Sequence, residues 1–228
     1  MAGDSGLITD RVSAQISLRP IGSPLTVGMS GLTVASLVQS GVDLKWIPES
    51  QTAQAGLILV SVPFVLQLLS CVFSYLARDG ASGAAIGVLA TSWLAIGLIH
   101  VVSAPGATSS ALGLLLLTSG LILLLSAAAL RSEKPLVALV FGLAALRFAT
   151  GALYELSATS LWAKVAGIIG LVLFVAAAYC VLAFELEGQA HRPVLPTFRR
   201  GRAADAVSAG VPRQLEGVAN EPGVRQTT

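Results

Sequence analysis

One arginine, Arg147, lies in the middle of a long apolar run, AALRFATGALYE, which covers residues 144–155. No other charged residue occurs within seven positions on either side of it. Its neighbours at helical spacing make a face of small and partly polar residues: Leu143, Ala144, Thr150, Gly151 and Tyr154. A cation on such a face would attract small anions if it faced a cavity. The alternative is a structural arginine that bonds backbone carbonyls or Glu155 where two helices meet.

Other polar residues recur at helical spacing inside two further apolar runs. In one run the stripe consists of Pro63, Gln67, Ser70 and Ser74. In an earlier run approximately one face is shared by Thr26, Ser30, Thr33 and Ser40. Such side chains could line a polar pathway, or they could bond their own backbone and tie neighbouring helices together. Both interpretations stay open at this point.

The composition shows what kind of protein carries these residues. Of the 228 residues, 54% are hydrophobic and 11% are charged, whereas a typical soluble domain has about 25% charged residues. A deficit of that size is typical of a protein embedded in a lipid bilayer. Residues 1–20 lack the apolar stretch of a signal peptide, so we expect the first apolar run to be a permanent membrane segment.

Residues that bind metals or act as nucleophiles are few and scattered. Cys71 and Cys180 each lie inside an apolar run and belong to no metal-binding motif. Neither His100 nor His191 has a cysteine, histidine or carboxylate at ligand spacing. We therefore expect no metal, no cofactor, no enzymatic activity and no nucleic-acid partner.

Six apolar runs are long enough to cross a membrane as helices. About 20 residues are needed, because about 30 Å of hydrocarbon is crossed at 1.5 Å per residue. The runs cover about residues 24–41, 54–77, 84–103, 110–130, 136–156 and 162–184, with short polar or breaker-rich turns between them. The sequence therefore predicts an all-α integral membrane protein that forms a bundle of six transmembrane helices.

The basic residues are distributed unevenly between the two sides that six spans define. Only Lys45 and Lys164 lie on the side opposite the termini, whereas the other side holds Arg11, Arg19, Arg78, Arg131, Lys134 and the six arginines after residue 190. Loops rich in basic residues face the cytoplasm, so we predict that both termini are cytoplasmic. The chain then divides into a cytoplasmic segment, residues 1–20, a transmembrane domain, residues 21–187, and an Arg-rich cytoplasmic tail, residues 188–228, which we expect to be largely disordered.

Three stretches of the chain match motifs of one known family of membrane proteins. Pro24 and Leu25, in SPLTV, match the second half of an Asn-Pro-Ala-Pro-Leu-Gly-Leu motif. Gln67 and Tyr75 stand eight positions apart, as in the family, and the turn ARDGASG follows. After AGIIG, which opens the sixth run, the closing pattern of a glutamate and then Arg-x-Val-Leu-Pro is matched by Glu185, Arg192, Val194, Leu195 and Pro196. Over about residues 20–200 the chain thus resembles the succinate–acetate permeases, also called acetate uptake transporters (AceTr).

The resemblance implies six transmembrane helices with cytoplasmic ends and a homo-oligomer, a hexamer, with one pathway per subunit. The family narrows its pathway with bulky residues from three helices, and the corresponding positions here are at or near Ser30, Thr91 and Leu143. Two of these three are small. Either Trp93 and its neighbours close the pathway instead, or gating and substrate size differ. The Asn-Pro that opens the family's first motif is also replaced, by Ile-Gly.

These features predict a transporter or channel for acetate or a similar small monocarboxylate, with succinate as a further candidate, in a bacterial plasma membrane. The expected pathway residues are Arg147, Gln67, Ser30, Thr33, Ser70, Thr91 and Leu143. The alternative is a non-transporting six-helix scaffold or regulatory protein in which Arg147 is an internal tie. Passive channel and proton-coupled symport both stay open, because no carboxylate inside a span stands out as a proton relay. Glu155 and Glu185 lie at span ends.

Overall fold

The computed structural model describes residues 22–190 and 192–208. Within these ranges the chain forms α-helices and one short 3-10 turn, Glu49–Gln51, and contains no β-strand. The helices are α1 Pro24–Asp43, α2 Thr52–Ser61, α3 Pro63–Leu76, α4 Gly80–Val102, α5 Ser110–Leu130, α6 Pro135–Ser157, α7 Ser160–Ala190 and α8 Arg202–Ser208.

Six segments of the described chain are long and apolar enough to cross a membrane. They are α1, the 3-10 turn together with α2 and α3, and each of α4, α5, α6 and α7. The prediction of an all-α membrane protein with six spans is therefore confirmed. Three boundaries differ from the predicted ones by four residues or more, since the second span begins at Glu49, the third begins at Gly80 and α7 continues to Ala190.

The second span is broken inside the membrane. Its first helix ends at Ser61, and α3 begins at Pro63, which has no N–H to donate to a preceding turn. Proline is tolerated at the first position of a helix, because the N–H that it lacks would have no partner within the helix there. Pro24 and Pro135 begin α1 and α6 in this way. Proline thus marks the start of three of the helices.

The spans pack side by side in a closed ring. Each has two main neighbours: α1 packs against α3 and α7, α4 against α3 and α5, and α6 against α5 and α7. The short α2 packs against α4 at Gly56 and Gly97, where a Cβ on Gly56 would lie 2.5 Å from the carbonyl oxygen of Gly97. Only glycine permits so close a helix contact. The interior is filled by large buried side chains, among them Met29, Leu32, Trp93, Phe141 and Phe148.

The outward faces of the ring carry long apolar side chains. Leu125 of α5 and Val175 of α7, for example, are 62% and 63% exposed. Apolar surface of this kind over several helices would be unfavourable in water but is solvated by acyl chains in a bilayer. The exposed faces therefore agree with a multi-pass membrane protein.

Part of the predicted C-terminal tail lies against the bundle, and the expectation that residues 188–228 are largely disordered stays a prediction. Beyond residue 184 the chain stays helical to Ala190, and residues 192–208 return to the end of the bundle that holds the α5–α6 turn. There the backbone N–H of Arg200 donates to the carbonyl oxygen of Glu133 at 2.9 Å. The hydroxyl of Tyr179 donates to the carbonyl oxygen of Pro196 at 3.0 Å.

An ion pair also holds this returning segment. Arg199 binds Glu187 at 2.7 Å, with both side chains nearly buried, and its guanidinium carbon lies 5.1 Å from the centre of the Phe184 ring. The segment is held by one ion pair and by hydrogen bonds to backbone groups. Sequence patterns detect regular apolar stripes, and these contacts depend on none. Residues 1–20 and 209–228, for which predictions were made, lie outside the described residues.

Candidate functional site

Arg147 extends from the middle of α6 into the interior of the bundle, where 2% of the residue is exposed. About 15 Å of helix separates it from Ser157, where α6 ends. Its Nη2 donates to Oδ2 of Asp43 at 2.8 Å, and its guanidinium carbon lies 5.3 Å from the centre of the Trp93 ring. The cation is thus held between a carboxylate and an aromatic face, which both attract it.

Asp43 was not among the partners that the sequence suggested for Arg147. The structural hypothesis named backbone carbonyls or Glu155, but Glu155 accepts the backbone N–H of Ser109 at 2.7 Å, at the start of α5. Asp43 was assigned to the turn after the first span, whereas it is the last residue of α1. The isolation of Arg147 from other charges therefore holds along the chain and not in space.

Asp43 belongs to a chain of hydrogen bonds that joins three helices. Gln39, one turn earlier on α1, donates from Nε2 to Oδ1 of Asp43 at 2.9 Å. The Oε1 of Gln39 lies 3.0 Å from Nε2 of His100 on α4. With this orientation of the amide, His100 donates through Nε2–H. Both carboxylate oxygens of Asp43 are therefore engaged, one by Gln39 and the other by Arg147.

The way α1 ends puts the carboxylate in this position. Lys45 has a φ of 61°, a left-handed conformation that turns the chain away from the helix axis. The backbone N–H groups of Trp46 and Ile47 both donate to the carbonyl oxygen of Gly41, which closes the helix end. Because Gln39 and Asp43 are four positions apart, they share one face of the last turns. That face is turned toward Arg147.

The ion pair lies at the inner end of a cavity of about 80 Å³. The cavity is formed by the ends of α1, α4 and α6, the starts of α5 and α7, and the connection between α1 and α2. Its polar lining includes Gln39, Asp43, Lys45, Glu49, Thr52, His100, Arg147, Tyr154 and Glu155. A buried water needs about 10–15 Å³, so the cavity has room for several waters or for one small carboxylate.

A second ion pair lies at the mouth of the cavity. Nζ of Lys45 is 2.7 Å from Oε1 of Glu49, and the two side chains are 62% and 61% exposed. The hydrogen bond to Glu49 raises the pKa of Lys45, so the lysine stays charged at neutral pH. An exposed pair of this kind is held only weakly, because water screens both charges. Lys45 is therefore available to attract anions toward the cavity.

Several buried polar atoms beside Arg147 have no hydrogen-bond partner within the described chain. They are Oγ of Ser36, Oγ of Ser40, Nε1 of Trp93 and Nε of Arg147 itself. Oγ of Ser40 and Nε of Arg147 both lie next to Gly170 of α7. A Cβ added at position 170 would overlap Oγ of Ser40 and would lie 3.2 Å from Nε of Arg147. Buried polar groups are rarely left unbonded, since each lost hydrogen bond costs about 1–3 kcal/mol. This cluster of donors is a polar, positively charged spot inside an apolar bundle.

Of the seven predicted pathway residues, all described by the structure, Arg147 is the one that lines this cavity. The stripe on α3 is confirmed as one buried face, but its polar groups turn toward α1. There Nε2 of Gln67 donates to the carbonyl oxygen of Gly28 at 3.3 Å, and Oγ of Ser70 donates to that of Pro24 at 2.6 Å. Both residues tie two helices together in this conformation.

The other predicted pathway residues make contacts within their own helices. The hydroxyls of Ser30, Thr33 and Thr91 donate to backbone carbonyl oxygens four residues earlier, at 2.9, 2.8 and 3.1 Å. Leu143 is half-buried and packs against the apolar core. None of these hydroxyls is hydrogen-bonded to the Asp43–Arg147 pair in the described structure.

The motif residues lie mostly at helix ends and in the returning segment. At the start of α1, Pro24 occupies the first position and Leu25 is buried. Tyr75 of α3 is 55% exposed, and its ring packs against Gly83 of α4. Of the remaining residues of the closing pattern, Leu195 packs on the core and the exposed ones are Glu185, Arg192, Val194 and Pro196.

The residues that sequence reasoning missed are Asp43, Gln39 and His100. Each stands at the end of an apolar run, where contact with water is the ordinary expectation for a polar residue. A signal was present, because Gln39 and Asp43 have the spacing of one helix face. This spacing did not identify the helix that Gln39 and Asp43 face. That helix is α6, and its Arg147 stands 104 positions after Asp43 in the chain.

No protein-family model matches the chain, and no curated protein matches it. Its structure is similar to a solved structure described as the bacterial acetate channel SatP, with a TM-score of 0.69 and 19% sequence identity. The match covers 78% of this chain and 99% of the channel chain. At this identity the likeness concerns the path of the backbone. The chain therefore has the fold of a bacterial acetate channel.

Proposed function

We propose that this protein is a divergent acetate uptake transporter that passes acetate or a similarly small monocarboxylate across a membrane. The observation that carries the proposal is the buried guanidinium of Arg147 at the inner end of a small polar cavity. A charged residue at the centre of a membrane span costs about 2.5–3.5 kcal/mol on insertion scales, and such residues mark substrate and ion pathways. The fold of an acetate channel supports the same function.

The guanidinium is suited to a carboxylate substrate. It carries five N–H donors in a planar fork, and Asp43 accepts from Nη2. Its Nε is buried and has no partner in the described chain, so Asp43 does not use all the donors of the fork. The ring of Trp93 covers one face of the cation and limits the approach to small molecules. The cavity of about 80 Å³ has room for a molecule as small as acetate.

The cellular setting is part of the proposal. With both termini in the cytoplasm, the cavity opens to the outside of the cell, and Lys45 lies where anions would enter. The membrane is the plasma membrane of a bacterium, and the subunits assemble as a hexamer with one pathway each. Gln67, Ser30, Thr33, Ser70, Thr91 and Leu143 remain predictions as pathway residues, to be reached in a conformation other than the one described.

The second candidate is a scaffold in which Arg147 only ties helices. The buried pair with Asp43 favours it, because this pair joins α1 to α6 without any ligand. The hydrogen bonds of Gln67 and Ser70 to α1 have the same tying effect. On this view the cavity is a water-filled gap at the end of the bundle.

Uptake of labelled acetate by vesicles that contain the purified protein separates the two candidates. A transporter gives saturable uptake above that of protein-free vesicles, lower apparent affinity in Arg147→Lys, which keeps the charge and loses the fork, and loss of uptake in Arg147→Leu. Thr118→Ala is the matched control, because that exposed hydroxyl bonds only the carbonyl oxygen of Leu114 in its own helix. Absence of protein-dependent uptake favours the scaffold, and normal uptake by folded Arg147→Leu protein removes this residue from the mechanism.

A further inference from the structure

We infer that Asp43 is the gate of the anion site: it occupies Arg147 in the empty protein, and a substrate carboxylate binds there only when Asp43 releases Arg147 and takes up a proton. The inference rests on the proposed function and adds to it a residue, a closed state and a coupled proton. It starts from the position of Asp43, whose Oδ2 lies 2.8 Å from Nη2 of Arg147, where one oxygen of a substrate carboxylate would bind.

Charge balance in the buried site requires an exchange. Arg147 and Asp43 supply one positive and one negative charge, with side chains 3% and 11% exposed. A second carboxylate would leave an unpaired negative charge in an apolar interior, which is strongly disfavoured. If the substrate arrives with its proton, the acid O–H bond breaks and Oδ2 of Asp43 receives that proton. The Asp43–Arg147 pair is then replaced by a substrate–Arg147 pair, and the site still holds one cation and one anion. When the substrate leaves on the far side, Asp43 gives up its proton there and pairs with Arg147 again, so one anion and one proton cross together.

The surroundings offer Asp43 a hydrogen-bond partner after it is protonated and released from Arg147. Its Oδ1 accepts from Nε2 of Gln39, and a neutral carboxyl group can still accept through that oxygen. The carboxyl group also lines the cavity, so water and protons reach it from the mouth. The titratable and charged groups that face it across the cavity are Arg147, Tyr154 and Glu155 of α6, His100 of α4, and Lys45 and Glu49 between α1 and α2. The described residues that α5 and α7 contribute to the wall are not titratable: Leu112, Leu116, Ala163 and Ala166.

Arg147 is the charged group bonded to the carboxylate of Asp43. An ion pair keeps a buried carboxyl group charged, and burial without such a pair favours its neutral form. When a competing anion takes over the bond to Arg147, protonation of Asp43 is therefore favoured. The same balance selects the substrate class. A monocarboxylate replaces Asp43 charge for charge, whereas a doubly charged dicarboxylate would leave one charge unpaired in the site.

The membrane potential tests the exchange. Vesicles that contain the full-length protein take up carbon-14 acetate at about pH 8, where nearly all acetate is ionised, and the rate in protein-free vesicles is subtracted. A potassium gradient with valinomycin makes the interior positive. Entry of an anion with one proton moves no net charge, so the initial rate in the wild type should be unchanged. Uncoupled anion entry should accelerate, since about 100 mV supports roughly 50-fold accumulation of a single charge.

Two variants of Asp43 form a matched pair. Asp43→Glu keeps a titratable carboxyl group and should remain insensitive to the potential, whereas Asp43→Asn cannot exchange a proton and should respond to it. Glu133→Gln, at the opposite end of the bundle, should behave as the wild type. Wild-type uptake that accelerates with the potential overturns the gate and leaves the proposed transport intact. Absence of protein-dependent uptake in the wild type contradicts the proposed function itself.

Folding of the variants does not decide the outcome. If Asp43→Asn does not give a folded protein, the wild type and Asp43→Glu still support the gate when both are insensitive to the potential. Acceleration in either of them overturns it.

Discussion

Nη2 of Arg147 and Oδ2 of Asp43 lie 2.8 Å apart, although the two residues are separated by 104 positions in the chain. The pair joins the end of α1 to the middle of α6, inside a bundle with the fold of an acetate channel. A buried pair can tie two helices, hold a place for an anion, or do one and then the other. Removing its charges singly and together distinguishes a tie from two independent residues.

The first prediction concerns the stability of this pair. Arg147→Leu and Asp43→Asn should each destabilise the protein, by about 3–5 kcal/mol, because each leaves or exposes an uncompensated polar partner in the bundle. The double variant should regain most of the loss, since no charge is then buried. Thermal unfolding of all four proteins in the same detergent measures the coupling. Losses that simply add in the double variant would contradict a direct pair.

The second prediction concerns Gln67. Because its Nε2 donates to the carbonyl oxygen of Gly28, Gln67→Ala should lower stability in detergent by about 0.6 kcal/mol, the average for such bonds between membrane helices. Since Gln67 is also a proposed pathway residue, acetate uptake per folded molecule or the substrate preference should change as well. Lowered stability with unchanged uptake and unchanged substrate preference would make Gln67 a tie between helices and remove it from the pathway.

The third prediction concerns the close approach of α7 to the site. Gly170→Ala places a methyl group against Oγ of Ser40 and 3.2 Å from Nε of Arg147, so it should destabilise the protein by about 1–3 kcal/mol through overpacking. It should also reduce acetate uptake per folded molecule. Gly142→Ala on α6 is the control, because a Cβ there meets no atom within 4 Å. Equal melting temperatures of the two variants would show that Gly170 does not limit the packing.

The fourth prediction concerns topology. In a protein without Cys71 and Cys180, Trp46→Cys and Ala107→Cys should react with a membrane-impermeant thiol reagent added to intact cells. Ala81→Cys and Ser132→Cys should react only after the cells are opened, since the positive-inside rule puts these turns in the cytoplasm. Reaction of positions 46 and 81 from the same side would contradict six spans.

The fifth prediction concerns the segment that returns to the bundle. Arg199→Ala removes the partner of buried Glu187 and should make residues 192–208 more sensitive to limited proteolysis. Arg200→Ala is the matched control, because Arg200 is held through its backbone N–H, which the substitution keeps. Equal cleavage of both variants would mean that the ion pair does not hold the segment.

Much of the fold could be predicted from the sequence, because a membrane span is a local property. An apolar run of about 20 residues must form a helix in hydrocarbon, where each backbone group needs a partner within the same segment. The runs near residues 110–130 and 136–156 accordingly agree with α5 and α6 to within a residue at each end. The stripe on α3 was also predictable, since a helix repeats every 3.6 residues whatever it packs against.

The sequence by itself also placed Arg147 in the middle of a predicted membrane span, where a lone cation is unfavourable. Only the tertiary structure decided that the partner is Asp43, that Gln39 and His100 extend the contact, and that Gln67 bonds α1. Helical periodicity places a side chain on a face of its own helix and says nothing of which helix lies opposite. That choice depends on the closure of the ring, which brings the end of α1 beside the middle of α6 and leaves a cavity between them.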